Sequence, residues 1–97
     1  EVEDILLEAE GVADVAVIGI PDEEWGESIV ALVIPGVEAL DHCALDRFCL
    51  ERMARFKRPK YYLFVEELPR NASGKVLKRQ LREALADMDR ESLLAPA

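Results

Sequence analysis

Lys75 is the residue of this sequence best suited to act on an anion. It follows Pro69-Arg70-Asn71-Ala72-Ser73-Gly74. Beyond it, Leu77, Leu81, Ala84, Leu85 and Met88 recur at helical spacing. Pro69 has no N–H to donate and ends any strand before it. Asn71, Ser73 and Gly74 are turn and cap residues. The spacing therefore predicts a loop at the mouth of a helix, where free N–H groups and the helix dipole favour anions and a lysine adds a movable positive charge. The loop is not a Walker A phosphate loop. That motif needs Gly, four residues, then Gly-Lys-Ser/Thr. Here Pro69 stands at the first glycine position and Val76 at the hydroxyl position. A solvated lysine beside a helix start is the plain alternative.

The elements that must position Lys75 can be read in order. Val2, Ile5, Leu6 and Ala9 mark a short helix over residues 2–9, which Gly11 stops. Val15 to Ile20 and Ser28 to Ile34 are compact apolar runs, read as an antiparallel strand pair. Asp41 is an N-cap for a helix running to about Ala54, with an apolar stripe of Leu45, Phe48, Cys49 and Met53. Tyr61 to Glu66 reads as a third strand. The order helix-strand-strand-helix-strand-helix predicts an α+β domain, a small three-stranded sheet with helices packed on it. Asp89 to Ala97 reads as a fraying tail.

The chain has 97 residues, enough for one domain with a modest core. No run approaches the ~18 apolar residues of a membrane helix, and no secretory signal is visible. Starting at Glu1, it reads as a piece of a longer protein. Cys43 and Cys49 are too far apart on one helix for a disulfide. With His42 they fall short of a zinc ligand set, so no metal site is expected. Unpaired thiols fit a reducing, cytoplasmic setting.

The net charge of −8 argues against a nucleic-acid binder and conceals a polarity. Residues 1–46 contain 13 acids and no Lys or Arg. Residues 47–82 contain 11 Lys and Arg against Glu51, Glu66 and Glu67. The segregation predicts a local basic surface for a polyphosphate; the plain alternative is chance together with an interdomain salt-bridge face.

Three stretches together carry a family resemblance. Leu68-Pro-Arg-Asn-Ala-Ser-Gly-Lys-Val-Leu-Lys-Arg-Gln-Leu-Arg82 resembles the last conserved motif of the adenylate-forming enzymes: acyl-CoA synthetases, luciferase-like enzymes and peptide-synthetase adenylation domains. Ala16-Val-Ile-Gly-Ile-Pro-Asp-Glu-Glu-Trp-Gly-Glu27 and Ala54-Arg-Phe-Lys-Arg-Pro-Lys60 are similar to that family in its order and at about its spacings. Residues 1–97 as a whole resemble the C-terminal lid domain of an acyl-CoA synthetase. The large N-terminal domain and the hinge would precede Glu1.

The resemblance implies a function and a site. The parent would join a fatty or aromatic acid, ATP and CoA into acyl-CoA, AMP and pyrophosphate, as a ligase using Mg2+. Lys75 matches the adenylation lysine, within a loop that includes Pro69, Ser73 and Gly74. Phe56, Arg58 and Lys60 match a segment that contacts the CoA nucleotide: Phe56 could stack on adenine, with Arg58 and Lys60 on phosphate oxygens. The plain alternative for that segment is a basic helix C-terminus favoured by the dipole. Trp25 matches a tryptophan near CoA; otherwise it anchors its loop. Lys78, Arg79 and Arg82 would face solvent or the large domain. The partner is then that N-terminal domain, and the isolated chain is expected to be inactive and to bind neither nucleotide tightly. A lid acting with a carrier protein, and a non-catalytic module whose acidic half docks a basic partner, are the competing readings.

Overall fold

The computed structural model describes residues 2–22 and 26–95. Trp25, Glu23 and Glu24 lie outside the described residues, so the expectation for Trp25 concerns a position not described. The elements run α1 (Val2–Leu7), β1 (Val12–Asp22), β2 (Gly26–Pro35), α2 (His42–Arg52), β3 (Tyr61–Phe64) and α3 (Lys78–Ala86). Short 3₁₀ turns occupy Arg55–Lys57 and Arg90–Ser92. This is the predicted order in an α+β arrangement.

β2 is the middle strand. It pairs antiparallel with β1, with Val15 opposite Val33 and Ile20 opposite Ser28. It pairs parallel with β3, from Val30 and Tyr61 to Val33 and Phe64. A parallel pair needs a crossover, and α2 provides it. Helices therefore cover both sheet faces, which explains why β1 and β2 read as continuous apolar runs rather than alternating ones.

Alternate residues go to opposite faces. Ala16, Ile18 and Ile20 of β1 and Val30 and Leu32 of β2 pack with Leu68, Leu81, Leu85 and Leu93. Val15, Ala31, Val33 and Tyr62 pack on the other side with Leu6, Ala9, Leu45 and Cys49. The α2 stripe is recovered in these contacts, as are Val2, Leu6 and Ala9 of the first stripe, whereas Ile5 is only half-buried and Ala84, assigned to the α3 stripe, is exposed. Asp41 caps α2 as expected, its Oδ1 accepting from the Cys43 N–H at 3.1 Å.

Two expectations are corrected. The predicted fraying tail is held to the fold through Leu94. Leu93 is buried, and Leu94 exchanges both backbone hydrogen bonds with Tyr62 at 2.8 Å, extending the sheet beyond β3 by one pair. Two adjacent leucines were apolar cargo that a solvated tail does not carry. The second correction concerns the helix after Lys75, which begins only at Lys78. Lys75 belongs to a closed turn upstream and not to the helix mouth.

Candidate functional site: two cationic grooves

The Lys75 turn is locked by its own backbone. Arg70 and Val76 form a bridge that closes the turn. Inside it, Asn71 Oδ1 accepts from the N–H groups of Ser73 at 2.9 Å and Lys75 at 3.0 Å. The Asn71 N–H in turn donates to the Lys75 carbonyl at 3.0 Å. Gly74 adopts φ +84°, a left-handed conformation that favours glycine. The Pro69 carbonyl accepts from the Leu77 N–H at 2.8 Å. Ser73 thus contributes geometry through its main chain. The Lys75 N–H is occupied by Asn71, so the turn offers an anion the ammonium and not a nest of free amides.

Around this turn a groove is lined by Glu3, Asp14, Arg70, Lys75, Lys78 and Arg82, among others. Arg70 pairs with Asp14, and Lys78 pairs with Glu3 at 2.9 Å. Burial works against the charged form of Glu3. The Val17 N–H at 2.7 Å and the Lys78 ammonium outweigh it, holding the Glu3 carboxyl below its ordinary value. Both acids of this groove, Glu3 and Asp14, are committed to cations. Lys75 is exposed and makes no ion pair among the described residues.

The second group lies on the connection from α2 to β3. Phe56 is 84% exposed, an unusual position for a phenyl ring. It lines one groove with Arg55, Arg58, Pro59 and Lys60, and an adjoining one with Glu27, Ser28 and Ile29. The structure thus brings Phe56, Arg58 and Lys60 together on one surface. Neither groove shares a residue with the Lys75 groove. The Lys75 turn belongs to the segment that covers one sheet face, whereas Arg58 reaches α2 on the other.

The cations of this second group are not all free. Arg58 Nη1 donates to Asp46 Oδ1 at 2.8 Å, and Asp46 is only 6% exposed. Tyr62 Oη donates to the same oxygen at 3.2 Å. Burial, with Cys49 and Asp46 adding to it, pushes the Tyr62 phenol far above its usual range, so it remains a neutral donor. Burial also pushes the Cys49 thiol up and leaves it inert. Lys60 Nζ lies 3.6 Å from Asp22, whose carboxylate also accepts from the Ser28 hydroxyl.

Ion pairs among the described residues join the acidic half to the basic half, Glu3 to Lys78, Asp14 to Arg70, Asp22 to Lys60 and Asp46 to Arg58. The charge segregation serves in part to close the domain on itself, a role distinct from the interdomain face that the sequence suggested. Sequence reasoning missed Asp46. The available signal was its position between Leu45 and Cys49, on the stripe that faces the core. Asp41, His42 and Cys43 do bring one ligand atom each within 4.8 Å of one another, around the start of α2. Cys49 lies apart from them, in the core.

The model of the AMP-binding enzyme C-terminal domain matches residues 1–75. The chain belongs to that family. It is 52% identical over 86 residues to the 4-chlorobenzoate–CoA ligase of Pseudomonas sp. (strain CBS-3), covering 86% of this chain and 16% of the ligase. It is 43% identical over 83 residues to the long-chain-fatty-acid–CoA ligase FadD13 of Mycobacterium tuberculosis (strain ATCC 25618 / H37Rv), covering 86% and 16%. Among solved structures, a fatty acyl CoA synthetase of Mycobacterium tuberculosis superposes with a TM-score of 0.83 at 43% identity, over 87% of this chain and 17% of that one. ATP-bound MatB from Rhodopseudomonas palustris gives 0.82 at 36% identity, over 89% and 17%. The chain spans about a sixth of the length of these relatives. No helix among the described residues is long and apolar enough to cross a membrane.

Proposed function

We propose that this AMP-binding enzyme C-terminal domain is the lid of an ATP-dependent acid–CoA ligase, with Lys75 as its adenylation residue. Adenylate formation joins a carboxylate to the α-phosphate of ATP and expels pyrophosphate. Negative charge then crowds the α-phosphate and the oxygen bridging it to the acyl group. A long ammonium on an exposed, internally braced turn can meet that charge as it develops. Lys75 does this as a cation and not as a base.

The observation that carries the reading is the separation of two cationic grooves on one small domain. Lys75 serves the first half-reaction. The groove of Phe56, Arg58 and Lys60 serves the second, meeting the CoA nucleotide with a ring and two cations. Because the grooves are distinct, the domain presents them in turn by rotating against a large N-terminal domain, a gating step between the half-reactions. The Phe56 groove favours CoA over a carrier protein, which offers no nucleotide to contact. ATP, Mg2+ and the acid bind mainly on the large domain, where the acid is chosen. Alone, the lid is inactive, since one cation on an open groove is not a nucleotide pocket.

The test is Lys75→Ala in the full-length protein, with the half-reactions measured apart. Adenylation should fall by on the order of 3 kcal/mol or more in barrier terms. Thioester formation from presynthesised acyl-adenylate should survive. Equal losses in both would refute the division of labour.

A further inference from the structure

We propose that Asp46 is a positioning residue for the thioester half-reaction, acting through Arg58 to hold the CoA-contacting segment in place. This rests on the assignment of the Phe56 groove to CoA.

Asp46 sits inside the fold, on α2, while the residues it would serve lie on the connection that follows. That connection contains one short 3₁₀ turn before β3 and presents its aromatic ring outward. Its return to the sheet is fixed by the Lys60 N–H, which donates to the Ile29 carbonyl at 2.8 Å, and by buried Pro59. Between the turn and that point stands Arg58, whose guanidinium reaches back to Asp46. Tyr62 on β3 donates to the same carboxylate oxygen and thereby sets its orientation. The chain of contacts runs from β3 through Asp46 to Arg58, and Arg58 lines both grooves that Phe56 and Lys60 line.

Magnitudes favour placement over stability as the role of this pair. A buried ion pair contributes little net stability compared with apolar side chains of the same volume, because both charges lose water. Here the desolvation is incompletely offset, since Arg58 Nε is buried without a hydrogen-bond partner among the described residues. Apolar side chains of similar volume would carry no such desolvation cost. What an apolar pair would not do is fix the angle of a guanidinium at the edge of a phosphate-suited groove. A planar fork held at one nitrogen loses less freedom when its remaining donors meet a phosphate.

The experiment is a double-mutant cycle in the full-length protein, read as the KM for CoA, the KM for ATP and the adenylation rate. Asp46→Asn keeps the volume and the Tyr62 acceptor but removes the charge. The KM for CoA should rise roughly tenfold while both adenylation readouts hold, since only the pair that orients Arg58 is broken. Arg58→Gln should raise it at least as far. The double variant, which leaves no unpaired buried charge and covers the case where Asp46→Asn does not fold, should match Arg58→Gln alone. A positioning residue adds nothing once its client is gone. Fully additive effects would overturn the proposal, as would an unchanged KM for CoA in Asp46→Asn, or CoA and adenylation failing in parallel. Phe56→Ala separates the two levels. If Phe56→Ala and Arg58→Gln raise the KM for CoA and Asp46→Asn does not, only the positioning role fails. If none raises it, the CoA assignment falls and the positioning role with it.

Discussion

Arg70 ties Asp14 of β1 to the Lys75 turn: its Nη2 pairs with the Asp14 carboxylate, and its Nη1 donates to the Gly74 carbonyl at 2.6 Å. One guanidinium therefore relates the turn that carries the ammonium to the sheet. The pair is partly exposed, 41% for Arg70 and 30% for Asp14, so its net contribution to stability should be only about 0–1 kcal/mol. Its contribution to rate should be larger, because a misplaced cation loses transition-state contact. Arg70→Ala should slow adenylation by roughly tenfold with little change in melting temperature. An unchanged adenylation rate would show that Asn71 alone suffices to hold the turn.

The sheet and the site were legible to different depths. Strands β1 and β2 were visible as apolar runs because burial on both faces removes the polar alternation that would blur them. The parallel pairing of β3 was not visible, since it depends on a crossover whose contacts are distant in sequence. Lys75, Phe56, Arg58 and Lys60 were found through motif spacing. Their partners were not, because Asp14, Asp22 and Asp46 look in sequence like ordinary surface acids. Only folding shows that Asp14 reaches the Lys75 turn, whereas Asp46 carried one signal, its place between Leu45 and Cys49 on the apolar stripe. The helix start was misplaced for a local reason: Leu77 begins the helical spacing close behind Lys75, yet Asn71 captures the Ser73 and Lys75 amides that an earlier helix would have used.

Glu3 gives the domain an acid-sensitive hold between α1 and α3. Its carboxyl lies below the ordinary value of 4.5 because the Val17 N–H and Lys78 favour the charged form more than burial opposes it. The folded value is thus below the unfolded one. The stabilisation is present above the unfolded value and is lost as pH falls through the folded one. Denaturation of residues 1–97 across the acid range should show a decline below about 4.5 that Glu3→Gln flattens. A Glu3→Gln curve parallel to the native one would remove Glu3 from the account.

Leu93 anchors the C-terminal segment on the α3 side of the sheet at 6% exposure. Leu93→Ala should destabilise the domain by about 2–4 kcal/mol, the usual cost of a buried leucine replaced by a small side chain. Thermal melts provide the measurement. A shift no larger than that of an exposed position would restore the picture of a loose tail.

Phe56 and Lys60 allow stability and function to be separated cleanly. Phe56 is 84% exposed, so its ring has almost no burial to lose, and Phe56→Ala should leave stability within about 0.5 kcal/mol. If the ring stacks on the CoA adenine, the same change removes a contact of about 1–3 kcal/mol, and the KM for CoA should rise in proportion. Lys60→Ala should act in the same direction. Its ammonium is 45% exposed and shared with Asp22, so added salt should reproduce part of the loss in the unmodified enzyme. The KM for ATP should not follow, because Lys75 and its groove lie elsewhere on the domain. Steady-state kinetics on full-length variants at two ionic strengths decide the matter. A rise in the KM for ATP with that for CoA unmoved would place this groove in the first half-reaction and reverse the assignment of the two surfaces.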